Sequence, residues 1–163
     1  MYSASVIARF FVRKGIENKQ YVTQMKLQKM VYFAHGLHLA MHGKPLVNEE
    51  FEAWKFGPVV PDIYSTYKQW GSAMINQDND DVLMWALNRT DSDVLADSVE
   101  EAINMTWEIT KDVSGFRLSE WTHADGGPWK QAYKPYYNCP IPNESIQQYF
   151  KAIFNVGANQ AVN

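Results

Sequence analysis

The fold turns on two adjoining stretches, MKLQKMVYFAHGLHLAMHG (residues 25–43) and PLVNEEFEAWKFGPVVPDIYSTYKQWG (residues 45–71). In the first, Leu27, Met30, Val31, Ala34, Leu37 and Met41 recur at the helical spacing i, i+3, i+4, i+7, which predicts a helix with one wide apolar face. Thr23 precedes it as an N-cap, and Gly43 with Pro45 behind it is a stop. In the second, Leu46-Val47 and then residues 51–56 suggest two short strands around Asn48-Glu49-Glu50. Period two places Phe51, Ala53 and Lys55 on one side and Glu52, Trp54 and Phe56 on the other. Gly57-Pro58 reads as a break. Pro61 opens another helix carrying Ile63, Tyr64 and Tyr67, closed by Gly71.

Outward from this centre the helical signal dominates. Residues 3–14 predict a first helix, with Val6, Ile7, Phe10 and Phe11 in phase and Gly15 as its stop. Residues 76–81 read as a loop, and 82–87 fit helix or strand equally. Asp91 or Ser92 caps a long helix whose inner face carries Leu95, Val99, Ala102, Ile103 and Thr106 and which ends near Ser114-Gly115. Residues 118–123 form a short helix. Pro128 starts one helical turn, and residues 134–142 are extended. Asn143 caps a last helix, with Ile146, Tyr149, Phe150, Ile153 and Phe154 on its apolar side. The expectation is a mainly α fold: a compact helical domain with one short β-hairpin inserted after the second helix. It spans residues 1–156, and 157–163 is expected to be a flexible tail.

Bulk properties narrow the function. The chain has 163 residues, one domain by length, with 46% apolar and 20% charged residues. A net charge of −3 argues against nucleic-acid binding, which needs a basic excess. The charge is uneven. Arg9, Arg13, Lys14, Lys19, Lys26 and Lys29 crowd the first thirty residues, and Asp and Glu crowd the middle of the chain. One cysteine, Cys139, excludes a disulfide framework within the chain and suits a reducing cytoplasm. No leader pattern and no apolar run of about 18 residues suggests a signal peptide or membrane span.

Catalytic chemistry finds little footing. His35, His38 and His42 share one side of the second helix, but no Glu or Cys accompanies them at ligand spacing, so packed histidines are expected and no metal. There is no glycine-rich phosphate loop, His123 and Asp125 make a weak hydrolytic pair, and Cys139 lacks a helix N-terminus to activate it. No catalytic residue and no cofactor is expected. What remains is a stripe of Lys29, Tyr32 and His35 on the helix beside Glu52, Trp54, Lys55 and Phe56 on the hairpin. These either tie hairpin to helix or rim an aromatic groove with fixed charges, the composition of a protein-binding hot spot.

The motifs KLQKMVYFAHG (residues 26–36) and EAWKFGPVVP (residues 52–61), with Tyr64 after the second, resemble those of the SocA-like Panacea domain, also described as phage-associated GepA-like. Thr122-His123, Pro128-Trp129, Ile146 and Tyr149-Phe150 match its later landmarks, so the resemblance covers nearly the whole chain. It implies an antitoxin of a bacterial or phage toxin–antitoxin system, cytoplasmic, whose partner is a cognate toxin protein neutralised by direct contact. The partner-binding residues expected are Lys29, Tyr32, His35, Glu52, Trp54, Lys55, Phe56, Tyr64, His123 and Trp129. An alternative it implies is a proteolytic adaptor delivering the toxin to a AAA+ protease, with the tail from Asn155 as the docking segment. A small metal-binding enzyme using the histidines is a third. Many members fuse the domain to a DNA-binding module; 163 residues leave no room for one, so transcriptional autoregulation is not expected.

Overall fold

The computed structural model describes residues 1–78 and 95–155. The ambiguous stretch 82–87, the cap expected at Asp91 or Ser92, the end of the loop expected over 76–81 and the tail 157–163 lie outside the described residues.

Seven α-helices and five short strands are described. The helices are α1 (Ala4–Glu17), α2 (Gln24–His42), α3 (Pro61–Tyr67), α4 (Asp97–Thr110), α5 (Gly115–Thr122), α6 (Pro128–Ala132) and α7 (Asn143–Ile153). The strands are β1 (Val22–Thr23), β2 (Phe51–Trp54), β3 (Gly57–Val59), β4 (Met74–Ile75) and β5 (Cys139–Ile141). The architecture is mainly α with a small β component, as expected.

α2 is the axis, and α1, α3, α4, α5, α7 and β3 all pack on it. It is therefore buried around most of its circumference and not along one face: Gln28, Lys29, His35 and His38 are as inaccessible as Leu27 and Val31. Thr23 caps it, its hydroxyl accepting from the Lys26 amide, and Gly43 ends it at φ 67°. Gly36 makes the closest packing possible. A Cβ there would lie 2.4 Å from the Phe150 ring, so only glycine lets α7 settle on the axis. Tyr32 fills the space beside it, edge-on to Phe51, Phe33 and Phe150 at 5.3, 5.9 and 5.6 Å between centroids.

Several boundaries differ from expectation. α1 runs past Gly15 to Glu17, because Gly15 packs against the Gln20 carbonyl and Asn18 is the true cap, bonding back to Lys14. Leu46-Val47 forms no strand. Val47 makes a single bridge to Tyr2, and the Glu49 carboxylate accepts from the Ala4 amide at the start of α1, so these residues serve the helix end. Gly57-Pro58 does not break the sheet. The chain turns at Lys55-Phe56, and Gly57-Pro58 opens β3, which pairs antiparallel with β2. β3 is an edge strand, where a proline's missing N–H is tolerated. The hairpin gains a third strand, β5, giving the order β3-β2-β5, and β1 pairs with β4 in a separate two-stranded ladder.

α4 stops at Thr110, four residues before the expected end, because the Ser114 hydroxyl caps α5 by accepting from the Arg117 amide. Asn143 is the first residue of α7 and not its cap, and its side chain turns inward to His35. On α7, Ile146 and Phe150 are buried, but Ile153 and Phe154 stay exposed. The basic and acidic regions meet where Arg9 and Arg13 of α1 both hold Asp78 at 2.8–2.9 Å.

Candidate functional site

The hairpin face is built from α2 outward. Gln28 extends a complete amide pair to the chain beyond β3, donating to the Val60 carbonyl at 3.2 Å and accepting from the Val60 amide at 2.9 Å. One side chain thus does the work of a neighbouring strand. Lys29 follows, 2% exposed, and its Nζ donates to the Pro58 carbonyl at 3.1 Å. Burial pushes its pKa down to about 7. Gly57, at φ 115°, leaves the opening this lysine occupies: a Cβ would lie 2.7 Å from both Lys29 Cε and Thr122 Oγ1.

His35 is fully buried and neutral. The Val47 amide donates to its Nδ1, so Nε2 carries the proton and donates to Asn143 Oδ1 at 2.8 Å. Burial holds its pKa near 4. His38 uses the other tautomer, Nδ1 donating to the Lys44 carbonyl at 2.7 Å while Nε2 faces the Ser98 hydroxyl at 3.2 Å. His42 reaches Glu101 at 3.4 Å. Each of these three histidines therefore has its own partner. Among the described residues there is no cluster of three or more His, Cys, Asp or Glu able to hold a metal ion.

A second support comes from the far side of the hairpin. Trp129 Nε1 donates to the Trp54 carbonyl at 2.7 Å, and its ring is sandwiched between His123 at 3.8 Å and Tyr133 at 4.6 Å. The Ser119 hydroxyl of α5 donates to the Phe56 carbonyl. With the turn anchored from beneath, its side chains project outward. Phe56 is 59% exposed, with Lys55 Nζ 5.3 Å from its ring centroid. Trp54 donates to Glu52 Oε2 at 2.7 Å and leans on exposed Tyr64 at 5.1 Å.

The ten residues expected at the interface thus form one connected structure in two layers. Lys29, Tyr32, His35 and Trp129 are buried; Lys55, Phe56 and Tyr64 are exposed; Glu52, Trp54 and His123 lie between. Gln28, Ser119 and Asn143 complete the lower layer. Of these only Gln28 carried a signal in the sequence, as an amide inside an apolar helix pattern. The surface can present an aromatic patch with one cation and one anion. Among the described residues no helix is long and apolar enough to cross a membrane.

Comparison with known proteins agrees with this motif. The family description "Antitoxin SocA-like, Panacea domain" matches residues 27–130, which contain nearly all of α2, the hairpin, α5 and the start of α6. The protein "Antitoxin SocA" of Caulobacter vibrioides (strain NA1000 / CB15N) is 34% identical over 127 residues, covering 77% of this chain and 68% of that protein. No solved structure matches. The chain belongs to the SocA-like Panacea antitoxin family.

Proposed function

We propose that this chain is an antitoxin that neutralises a cognate toxin protein by direct contact and catalyses no reaction. The observation that carries the reading is the two-layered hairpin. Buried donors from Gln28, Lys29, Ser119 and Trp129 fix the backbone of the hairpin, whose exposed turn side chains Lys55 and Phe56, with Tyr64 of α3 beside them, form no part of the core. Rigid aromatic side chains on a preorganised backbone are what a binding hot spot uses, because little entropy is lost on contact. In this reading Lys29, Tyr32, His35 and Trp129 act on the partner only through the hairpin they hold.

The test is co-expression with the product of the adjacent gene. The wild-type chain restores growth and copurifies with the toxin. Phe56→Ala with Tyr64→Ala removes two exposed rings, so the fold persists by circular dichroism while affinity falls at least tenfold. Full neutralisation by that double variant would refute the hairpin as the contact surface.

A further inference from the structure

On the other side of α5 from the hairpin, the ends of three helices enclose a groove of about 440 Å³. Its lining comes from the last turns of α4 (Ile109, Thr110), α5 (Glu120, Trp121) and α7 (Ile153), over a floor that includes Phe33 of α2. Ile109, Trp121, Ile153 and Phe154 all remain substantially exposed around it. A monomer rarely leaves so many large apolar side chains together in water unless something covers them.

Two further observations say what kind of group fits. Thr106 lies in the groove wall, 1% exposed, and its hydroxyl has no hydrogen-bond partner among the described residues. A buried hydroxyl without a partner is costly and awaits one. Among the described residues Glu120 is the one charged side chain in the lining, and three helix C-termini add negative partial charge beside it. The groove therefore favours a cation at its edge and apolar groups at its centre. Among the described residues its walls are mostly helical side chains, with no strand edge on which an extended peptide could pair. An occupant must satisfy its own backbone, as a helix does.

We infer that this groove receives an amphipathic helix of a partner protein, apolar on one face and carrying Arg or Lys at the edge that meets Glu120. The site is separate from the hairpin patch. That the helix belongs to the toxin rests on the antitoxin reading; the chemistry of the groove does not. Residues 156–163, VGANQAVN, hold no Lys, Arg or aromatic residue and do not supply such an occupant.

The probe is a fluorescein-labelled 16-residue amphipathic helix with Leu and Phe on one face and one flanking Arg, against the same peptide with Glu in place of Arg. Polarisation with the full chain shows saturable binding of the Arg peptide and at least tenfold weaker binding of the Glu peptide. Glu120→Lys, a change on an exposed side chain that leaves the fold intact, reverses that preference. Trp121→Ala weakens both peptides. Glu17→Lys, the same charge change on α1, alters neither. No binding of the Arg peptide, or equal binding to Glu120→Lys, overturns the inference. So does a dimer that Trp121→Ala dissociates, which would give the groove to a second copy, or binding seen only after Trp85→Ala, which would give it to the chain's own residues 82–87. Toxin co-expression separates the two readings. Wild-type failure to neutralise sinks the antitoxin function alone; full neutralisation by Glu120→Lys removes the toxin as the groove's occupant.

Discussion

The lower layer of the hairpin and the three-helix groove handle polar groups in opposite ways. Under the hairpin, polar side chains are buried deeply and most find a partner: Gln28 on Val60, Lys29 on Pro58, His35 between Val47 and Asn143, with His123 Nε2 alone of this group lacking a hydrogen bond among the described residues. In the groove, apolar side chains are left in water and a buried hydroxyl has no partner among the described residues. The first arrangement is finished by the chain itself. The second is finished by something else. Polar burial with nearly every group partnered specifies one structure, whereas apolar exposure with an unmet donor specifies a contact still to come.

The contrast breaks most sharply at Gly36. Alanine there gains up to about 1 kcal/mol of helix propensity, but its methyl collides with Phe150, and α7 must lift from α2. The expected net loss is about 3 kcal/mol by denaturant titration, since overpacking a rigid core exceeds the propensity term. An unchanged midpoint would mean the axis is loosely packed and the comparison false.

Lys29 is the next lever. Its folded pKa lies near 7 against 10.5 when unfolded, so the unfolded chain binds the extra proton between those values. Below pH 7 both states are charged and the full cost of burying the ammonium is present. As pH rises from 7 towards 10.5, stability climbs. Lys29→Met removes the charge while keeping the volume. It should raise stability at pH 6 by about 2 kcal/mol and flatten the alkaline climb. A loss of stability at pH 6 would show that the Pro58 hydrogen bond outweighs desolvation.

His35 works in the acid range. Its folded pKa, near 4, lies below the ordinary 6.5, so only the unfolded state takes up the proton as pH falls between them. Stability should therefore decline from pH 6.5 to 4, and His35→Gln should lessen that decline, read as thermal midpoints across the range. A parallel decline in both proteins would assign the acid sensitivity to other groups.

The smallest effect sharpens the groove. Thr106→Val keeps the shape and removes the unpartnered hydroxyl, so the free chain should gain about 1 kcal/mol while affinity for the Arg peptide drops. A stabilised chain with unchanged affinity would mean the hydroxyl serves no partner.

How far all this could be read from the sequence depended on the distance over which each feature is decided. Thr23 and Gly43 delimit α2 through contacts within one turn, and both were legible. The hairpin was legible as a hairpin but not in register. Lys55 and Phe56 read as strand by period and propensity, yet Gly57 at φ 115° moves the turn onto them. For β5 the extended backbone was legible but its pairing was not, because Cys139-Pro140-Ile141 becomes a strand only when β2 lies beside it. The packing of His35 was legible, but the burial of Lys29 followed the same logic as β5. A lysine at the edge of an apolar stripe reads as surface until six elements close around its helix. Ile153 and Phe154 failed in reverse: their periodicity is that of a core, and the core ends one turn before them.

The pairing of β2 with β5 sets a timetable for synthesis. Phe51 leaves the ribosome long before Ile141, its partner in the ladder, and Gly36 long before Phe150. Until then the nascent chain carries an open strand edge beside a half-dressed axis, a form prone to pair with whatever is near. Such contacts between residues distant in the chain also slow the search for the native state. Newly made copies should therefore become competent only after β5 and α7 have emerged and docked, so the pace of synthesis through the last third of the chain sets when the fold is complete.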